Sequence, residues 1–202
     1  MITASILLLE KGKTVGEKTD EYYWDGKTLT LNNAEITEYD FVQIGTETTP
    51  VDNAQLVITD GTKNTIKGNR TYVDDHCLLV YGNLAVLGDG SDQDNPGSLY
   101  MKLDDNISGA ISAVNVSGDF TIGSTEDDKA CDVEVYVGNC LKQLNALKVQ
   151  GSFTALDGSL TLQSDVSTDA GNATLFVGES FSLGEDGSEK NPVLNVTAGR
   201  GY

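Results

Sequence analysis

Four segments of this chain superimpose on one alternating pattern, and that pattern excludes most folds. They are Leu78–Val86 (LLVYGNLAV), Val114–Ile122 (VNVSGDFTI), Leu147–Ala155 (LKVQGSFTA) and Leu175–Leu183 (LFVGESFSL). Their first column is Leu78, Val114, Leu147, Leu175; their third is Val80, Val116, Val149, Val177. Gly82, Gly118 and Gly151 follow, with Glu179 as the exception. The seventh column is Leu84, Phe120, Phe153, Phe181 and the ninth Val86, Ile122, Ala155, Leu183. Residues between these columns are mostly polar or small. Period-two alternation puts the matched columns on one face of two short strands. Glycine suits the bend between them, where a residue without a Cβ is favoured. A third strand follows in each unit, at Leu99–Leu103, Val133–Val137, Leu160–Leu162 and Leu194–Val196.

Three short strands per unit, in register from unit to unit, describe an all-β solenoid: a single-stranded right-handed parallel β-helix of about six coils. Each coil alone leaves its inner face wet, whereas stacking at roughly 4.8 Å per coil buries that face and completes the backbone ladder. Right-handedness is expected from the crossover preference of parallel strands. A β-sandwich is the alternative, since it also reads as many short strands with turns. Antiparallel sandwich strands, however, have no reason to repeat Val-x-Gly-x-Phe in register. The unit starts are spaced by 36, 33 and 28 residues, so one loop, between the second and third strands, absorbs the variation. Apolar stretches at Thr28–Leu31, Phe41–Ile44 and Leu56–Ile58 predict two less regular coils earlier. The expected organisation is one domain over 1–202: an irregular cap or first strand over 1–27, irregular coils over 28–77 and regular coils over 78–202.

Composition narrows the setting. The 31 acidic residues outnumber 13 basic ones, giving a net charge of −18. Such a surface repels nucleic-acid phosphates and anionic membranes, so neither is an expected partner. No apolar run approaches the length of a membrane-spanning helix, and Ile6–Leu9 is too short for a signal-peptide core. Acidity with 22 glycines suits an extracellular β-protein. Cys77, Cys131 and Cys140 do not suggest a disulfide framework. Cys131 and Cys140 flank a strand and would lie roughly 30 Å apart if it is straight. Free, buried thiols are expected.

The stretch Tyr22–Ile36 (YYWDGKTLTLNNAEI), then Leu56–Thr59, Asn64–Ile66 and the Val-x-Gly-x-Phe units, resembles β-helical repeat regions of large bacterial cell-surface proteins. These regions are often described as carbohydrate-binding-domain-like or pectate-lyase-like. The resemblance covers residues 20–197 and rests on structural motifs. It implies export, cell-surface display and a larger, multi-domain parent, of which this chain would be a piece. Glycans or host and cell-surface proteins are the partners it implies.

Several residue clusters admit both a functional and a plain structural role. Tyr72-Val-Asp-Asp-His-Cys77 is similar to the Asp-His pair of pectate-type lyases. Such an enzyme also needs clustered carboxylates for calcium and a base, and Arg70 and Arg200 are the only arginines. Asp74 or Asp75 capping a turn, with His76 entering a strand, is the simpler reading. With one histidine and no nucleophile elbow, no catalytic residue is assigned and no enzyme is expected. Tyr22, Tyr23 and Trp24 beside Asp25 are candidate carbohydrate-binding aromatics; the alternative is that they cap the open end of the solenoid. Tyr81, Tyr100 and Tyr136 fall on outward positions and offer a second aromatic surface. Asp89, Asp92 and Asp94 in one loop and Glu126, Asp127 and Asp128 in the next, followed by Asp157, Glu185, Asp186 and Glu189, line one edge of the stack. They form a candidate weak calcium site, the only cofactor considered, although no loop has the full EF-hand order. Solvated acidic surface is the alternative there.

Overall fold

The computed structural model describes residues 5–69, 76–104, 112–125, 129–138, 145–165, 174–185 and 189–198. Strand follows strand, and no helix occurs among the described residues. The first coil holds β1 (Ile6–Leu9), β2 (Tyr22–Trp24), β3 (Thr28–Leu31) and β4 (Glu35–Ile36). The second holds β5 (Phe41–Ile44), β6 (Ala54–Ile58) and β7 (Lys63–Gly68); the third, β8 (Leu78–Val80), β9 (Leu84–Gly88) and β10 (Ser98–Leu103). Then come β11 (Ser112–Val116), β12 (Phe120–Ile122) and β13 (Asp132–Val137), followed by β14 (Asn145–Val149), β15 (Phe153–Ala155) and β16 (Ser159–Ser164). The last coil is β17 (Leu175–Val177), β18 (Phe181–Leu183) and β19 (Val193–Ala198).

The strands stack into three sheets. The first runs β1-β5-β8-β11-β14-β17, the second β2-β3-β6-β9-β12-β15-β18 and the third β4-β7-β10-β13-β16-β19. Every pairing is parallel except β2 with β3. The chain is therefore a parallel β-solenoid, with six rungs separated by five turns. Register follows the sequence columns: Leu78 pairs with Val114, Val114 with Leu147 and Leu147 with Leu175. Leu84, Phe120, Phe153 and Phe181 are likewise consecutive partners. Alternation sends one set of side chains into a single core that runs the length of the stack. The Phe120 and Phe153 rings, both fully buried, lie 5.7 Å apart between centroids, and Phe153 and Phe181 lie 5.3 Å apart.

Within the expected cap or first strand, Ile6–Leu9 is a strand: it pairs with Phe41–Ile44 and starts the first sheet, with Leu7 and Leu9 buried. Phe181 is not a core residue in the sense of Phe153. It stacks on Phe153 but lies in the last rung and stays 45% exposed, as does Leu183 at 46%. The opposite end is closed, because β2 folds back antiparallel over β3 and Val15 bridges to Trp24.

The bend glycines stand where a Cβ has no room. Of Gly82, Gly118 and Gly151, Gly82 takes a positive φ, 121°. At Gly118 and Gly151 the need is space. A Cβ on Gly118 would lie 2.8 Å from the Gly82 carbonyl oxygen, and one on Gly151 would lie 2.9 Å from that of Gly118. Bends stack on bends here, so each must leave room for the one before. The residue after each glycine completes the corner. Asn83 Oδ1 accepts the amide of Asp119 at 2.9 Å, and Asp119 Oδ1 accepts the amide of Ser152 at 2.8 Å. These side chains satisfy amides that the bend removes from the ladder.

Candidate functional site

The outer face of the third sheet combines aromatic and charged groups. Outward positions alternate with the buried Leu99, Met101, Val133 and Val135. The pairing Tyr100–Glu134 beside Lys102–Tyr136 sets the two tyrosines on a diagonal. From a 4.8 Å strand spacing and two 3.3 Å rises, their Cα atoms are roughly 8 Å apart. Around them the polar groups are locked. Lys102 Nζ lies 5.6 Å from the Tyr136 ring centroid, and Tyr136 donates its hydroxyl to Asp165 Oδ2 at 2.8 Å. Gln163 donates to the other oxygen of Asp165 at 3.2 Å. Asp104 bridges Lys67 at 2.6 Å and Lys102 at 2.7 Å. Partial burial works against the charge of Asp104. The two lysine hydrogen bonds outweigh it and hold the carboxyl below its ordinary range. Burial raises the Tyr100 phenol, against the pull of Lys102. Two aromatic rings beside amide, ammonium and carboxylate groups can stack on an apolar ring face while bonding its hydroxyls.

The aromatic cluster near the start has a different character. Trp24 is fully buried and donates its indole N–H to the Glu10 carbonyl at 2.9 Å, so its ring offers no face to a ligand. Tyr22 packs against the core. Its phenol is raised by burial and by a hydrogen bond with Tyr39. Tyr23 alone opens outward, onto a depression of about 380 Å³ shared with Lys18, Asp20, Asp25, Thr30, Asn32 and Thr59. The three aromatics do not form a common platform.

Along the acidic edge, carboxylates serve the corners between the second and third sheets. Asp89 Oδ1 accepts from the Ser91 hydroxyl at 2.7 Å and from the amides of Ser91 at 3.0 Å and Asp60 at 3.2 Å. Burial opposes its charge, but these bonds prevail and lower its pKa. Asp60 Oδ2 accepts the amide of Asp92 at 2.9 Å, while Asp60 Oδ1 is shielded and has no hydrogen-bond partner. Asp94 is exposed. Glu126, Asp127, Asp128 and Asp186 lie outside the described residues. Among the described residues no group of three or more His, Cys, Asp or Glu is placed to hold a metal.

His76 is buried at 5% exposure, and its Nδ1 lies 2.7 Å from the Ser112 carbonyl oxygen. Its ring meets Phe41 edge-on with centroids 6.3 Å apart. Arg70, Tyr72, Asp74, Asp75 and Arg200 lie outside the described residues. Cys77 and Cys131 are free and buried. Burial pushes both thiols up to about 12, with the charge of Asp132 adding to the effect at Cys131. Cys140 lies outside the described residues.

Tyr100 and Tyr136 are legible in the sequence as outward residues, whereas their partners are not. Asp165 and Gln163 sit on the next rung and beyond, and only the register brings them to the tyrosines. The class of protein is thus a parallel β-solenoid with an aromatic and charged outer face. Comparison with known protein families, with curated proteins and with solved structures finds no match to this chain.

Proposed function

We propose that this chain is a structural and interaction module of a secreted bacterial surface protein, a short rod that displays its outer faces and corners and acts in adhesion. The observation that carries this reading is the unbroken register of three ladders through the stack. The inward columns serve one continuous core, while differences in chain length are confined to the corners. A scaffold of this kind keeps its shape while its surface varies. The acidic composition and the resemblance to bacterial surface repeats supply the setting. The test is retention without turnover. Immobilised protein is challenged with neutral and acidic polysaccharides in calcium, and the soluble products are analysed. Release of shortened or unsaturated chains, abolished by His76→Ala, would overturn the reading in favour of a lyase or hydrolase.

A second reading, a carbohydrate-binding module, is favoured by the diagonal Tyr100–Tyr136 pair and its locked polar frame. Saturable binding on a glycan array that is lost in Tyr136→Ala would promote it. Binding lost on Tyr23→Ala instead would move the site to the capped end.

A further inference from the structure

The corners between the second and third sheets concentrate acidic side chains, and Lys190 reaches in among them, while Lys129 lies in the β12–β13 corner. Lys190 lies on the loop between β18 and β19. Its Nζ sits 3.1 Å from Asp157 Oδ2 and donates to the Ser124 carbonyl oxygen at 3.0 Å. Asp157 belongs to the β15–β16 corner and Ser124 to the β12–β13 corner, so one ammonium joins three successive coils. The two side chains are only 17% and 20% exposed. Lys190 and Asp157 also line a cavity of about 280 Å³ with Asp92 and Asp60, on the two corners before. Carboxylate and carbonyl oxygens from successive turns are what a hard cation uses. Here a covalently tethered ammonium holds that position.

The chain's own repetition points the same way. The loop Gly90-Ser-Asp-Gln-Asp-Asn-Pro96 recurs as Gly187-Ser-Glu-Lys-Asn-Pro192. Aligned on Asn-Pro, Lys190 stands where Asp94 stands. An acid gives way to a base on the last coil, after four corners bearing Asp60, Asp92, Ser124 and Asp157. The inward Phe181, Leu183 and Val196 of that coil are 45–49% exposed. Lys190, Asn191 and Pro192 also line a groove of about 910 Å³ together with Thr154 and Ser182.

We propose that Lys190 is the built-in counter-ion of the acidic edge: it clasps the last coil and the groove wall onto the two preceding coils and leaves calcium no place there. An exposed ion pair would contribute little, but partial burial strengthens this one and limits its screening by salt. The inference is independent of any glycan binding. Its test is hydrogen exchange on the full chain, comparing wild type with Lys190→Gln, Lys190→Arg and Asp157→Asn. In Lys190→Gln and Asp157→Asn the amides of β17–β19 should exchange about tenfold faster while β5–β10 keep their protection. Lys190→Arg should retain most of it. Melting in EDTA and in millimolar calcium supplies the second readout. Wild type should melt alike in both, and Lys190→Gln should melt lower than wild type in both. Unchanged exchange in Lys190→Gln, or loss spread evenly over all coils, overturns the clasp. A calcium-induced rise in the wild-type melt overturns the counter-ion role.

Discussion

Truncation of the phenylalanine column measures how the core is built. Phe120, Phe153 and Phe181 are consecutive rungs of one stack, yet their surroundings differ. Phe153 is enclosed on both sides, with ring centroids at 5.7 Å to Phe120 and 5.3 Å to Phe181. Phe153→Ala leaves a void between two rungs whose spacing is held by three hydrogen-bonded ladders, so the walls have little freedom to close. The cost should fall in the upper part of the usual range for such truncations, about 3–5 kcal/mol. Phe181 is 45% exposed, so roughly half of the transfer term is absent and no closed cavity forms. Phe181→Ala should therefore cost about 1–2 kcal/mol. Equilibrium urea unfolding checks both, with slopes compared so that a change in cooperativity is not mistaken for stability. The reasoning is refuted if Phe181→Ala costs as much as Phe153→Ala, or if Phe153→Ala costs less than about 1 kcal/mol.

Further outcomes follow from the corners and the buried thiols. Gly151→Ala places a Cβ within 2.9 Å of the Gly118 carbonyl oxygen and should destabilise by about 1–3 kcal/mol. Gly12→Ala, with open space around it, should cost only the strain of its positive φ, and thermal melts compare the two. Asp119→Ala removes the acceptor for the Ser152 amide and should cost about 1 kcal/mol in urea unfolding, most of it recovered in Asp119→Asn. Because burial raises the Cys77 and Cys131 thiols to about 12, native protein at pH 8 should leave both unalkylated by iodoacetamide, and urea should expose them, as peptide mapping would show. Asp104 has a folded pKa below its unfolded value. Its contribution is thus present above the unfolded pKa and lost as pH falls through the folded one. Asp104→Asn should remove that part of the acid-limb slope in stability-versus-pH curves.

Much of the fold was legible because a solenoid writes its cross-section repeatedly. Columns such as Leu84, Phe120, Phe153 and Phe181 carry both period and register, and one alternation recurring four times is hard to confuse with anything else. The less regular start hid more. Ile6–Leu9 reads as an isolated apolar run, and only its partner Phe41–Ile44 shows it to be the first rung. Trp24 illustrates an ambiguity of large aromatics: the same ring serves a platform or a cap, and burial of the solenoid end decides for the cap. The pattern places the glycines at the bends, where a Cβ has no room. Close stacking of corner on corner is a contact between residues some 33 to 36 positions apart, which no local rule contains. Lys190 was hidden for the same cause. Its partners Ser124 and Asp157 are distant in sequence, and the only local sign was a lysine in place of an acid within a repeated loop.

The central claim, one solenoid with every rung in register, is tested most directly by distances along a single outward column of the second sheet. Thr28, Gln55, Ala85, Thr121, Thr154 and Ser182 are consecutive partners on that face. Spin labels on Ser182 paired in turn with Thr28, Gln55 and Ala85, read by pulsed dipolar spectroscopy, should report backbone separations of roughly 24, 19 and 14 Å, one 4.8 Å strand spacing lost per rung. Distances that fail to shorten by one rung at each step, or a Thr28–Ser182 separation no longer than Ala85–Ser182, would contradict the stack.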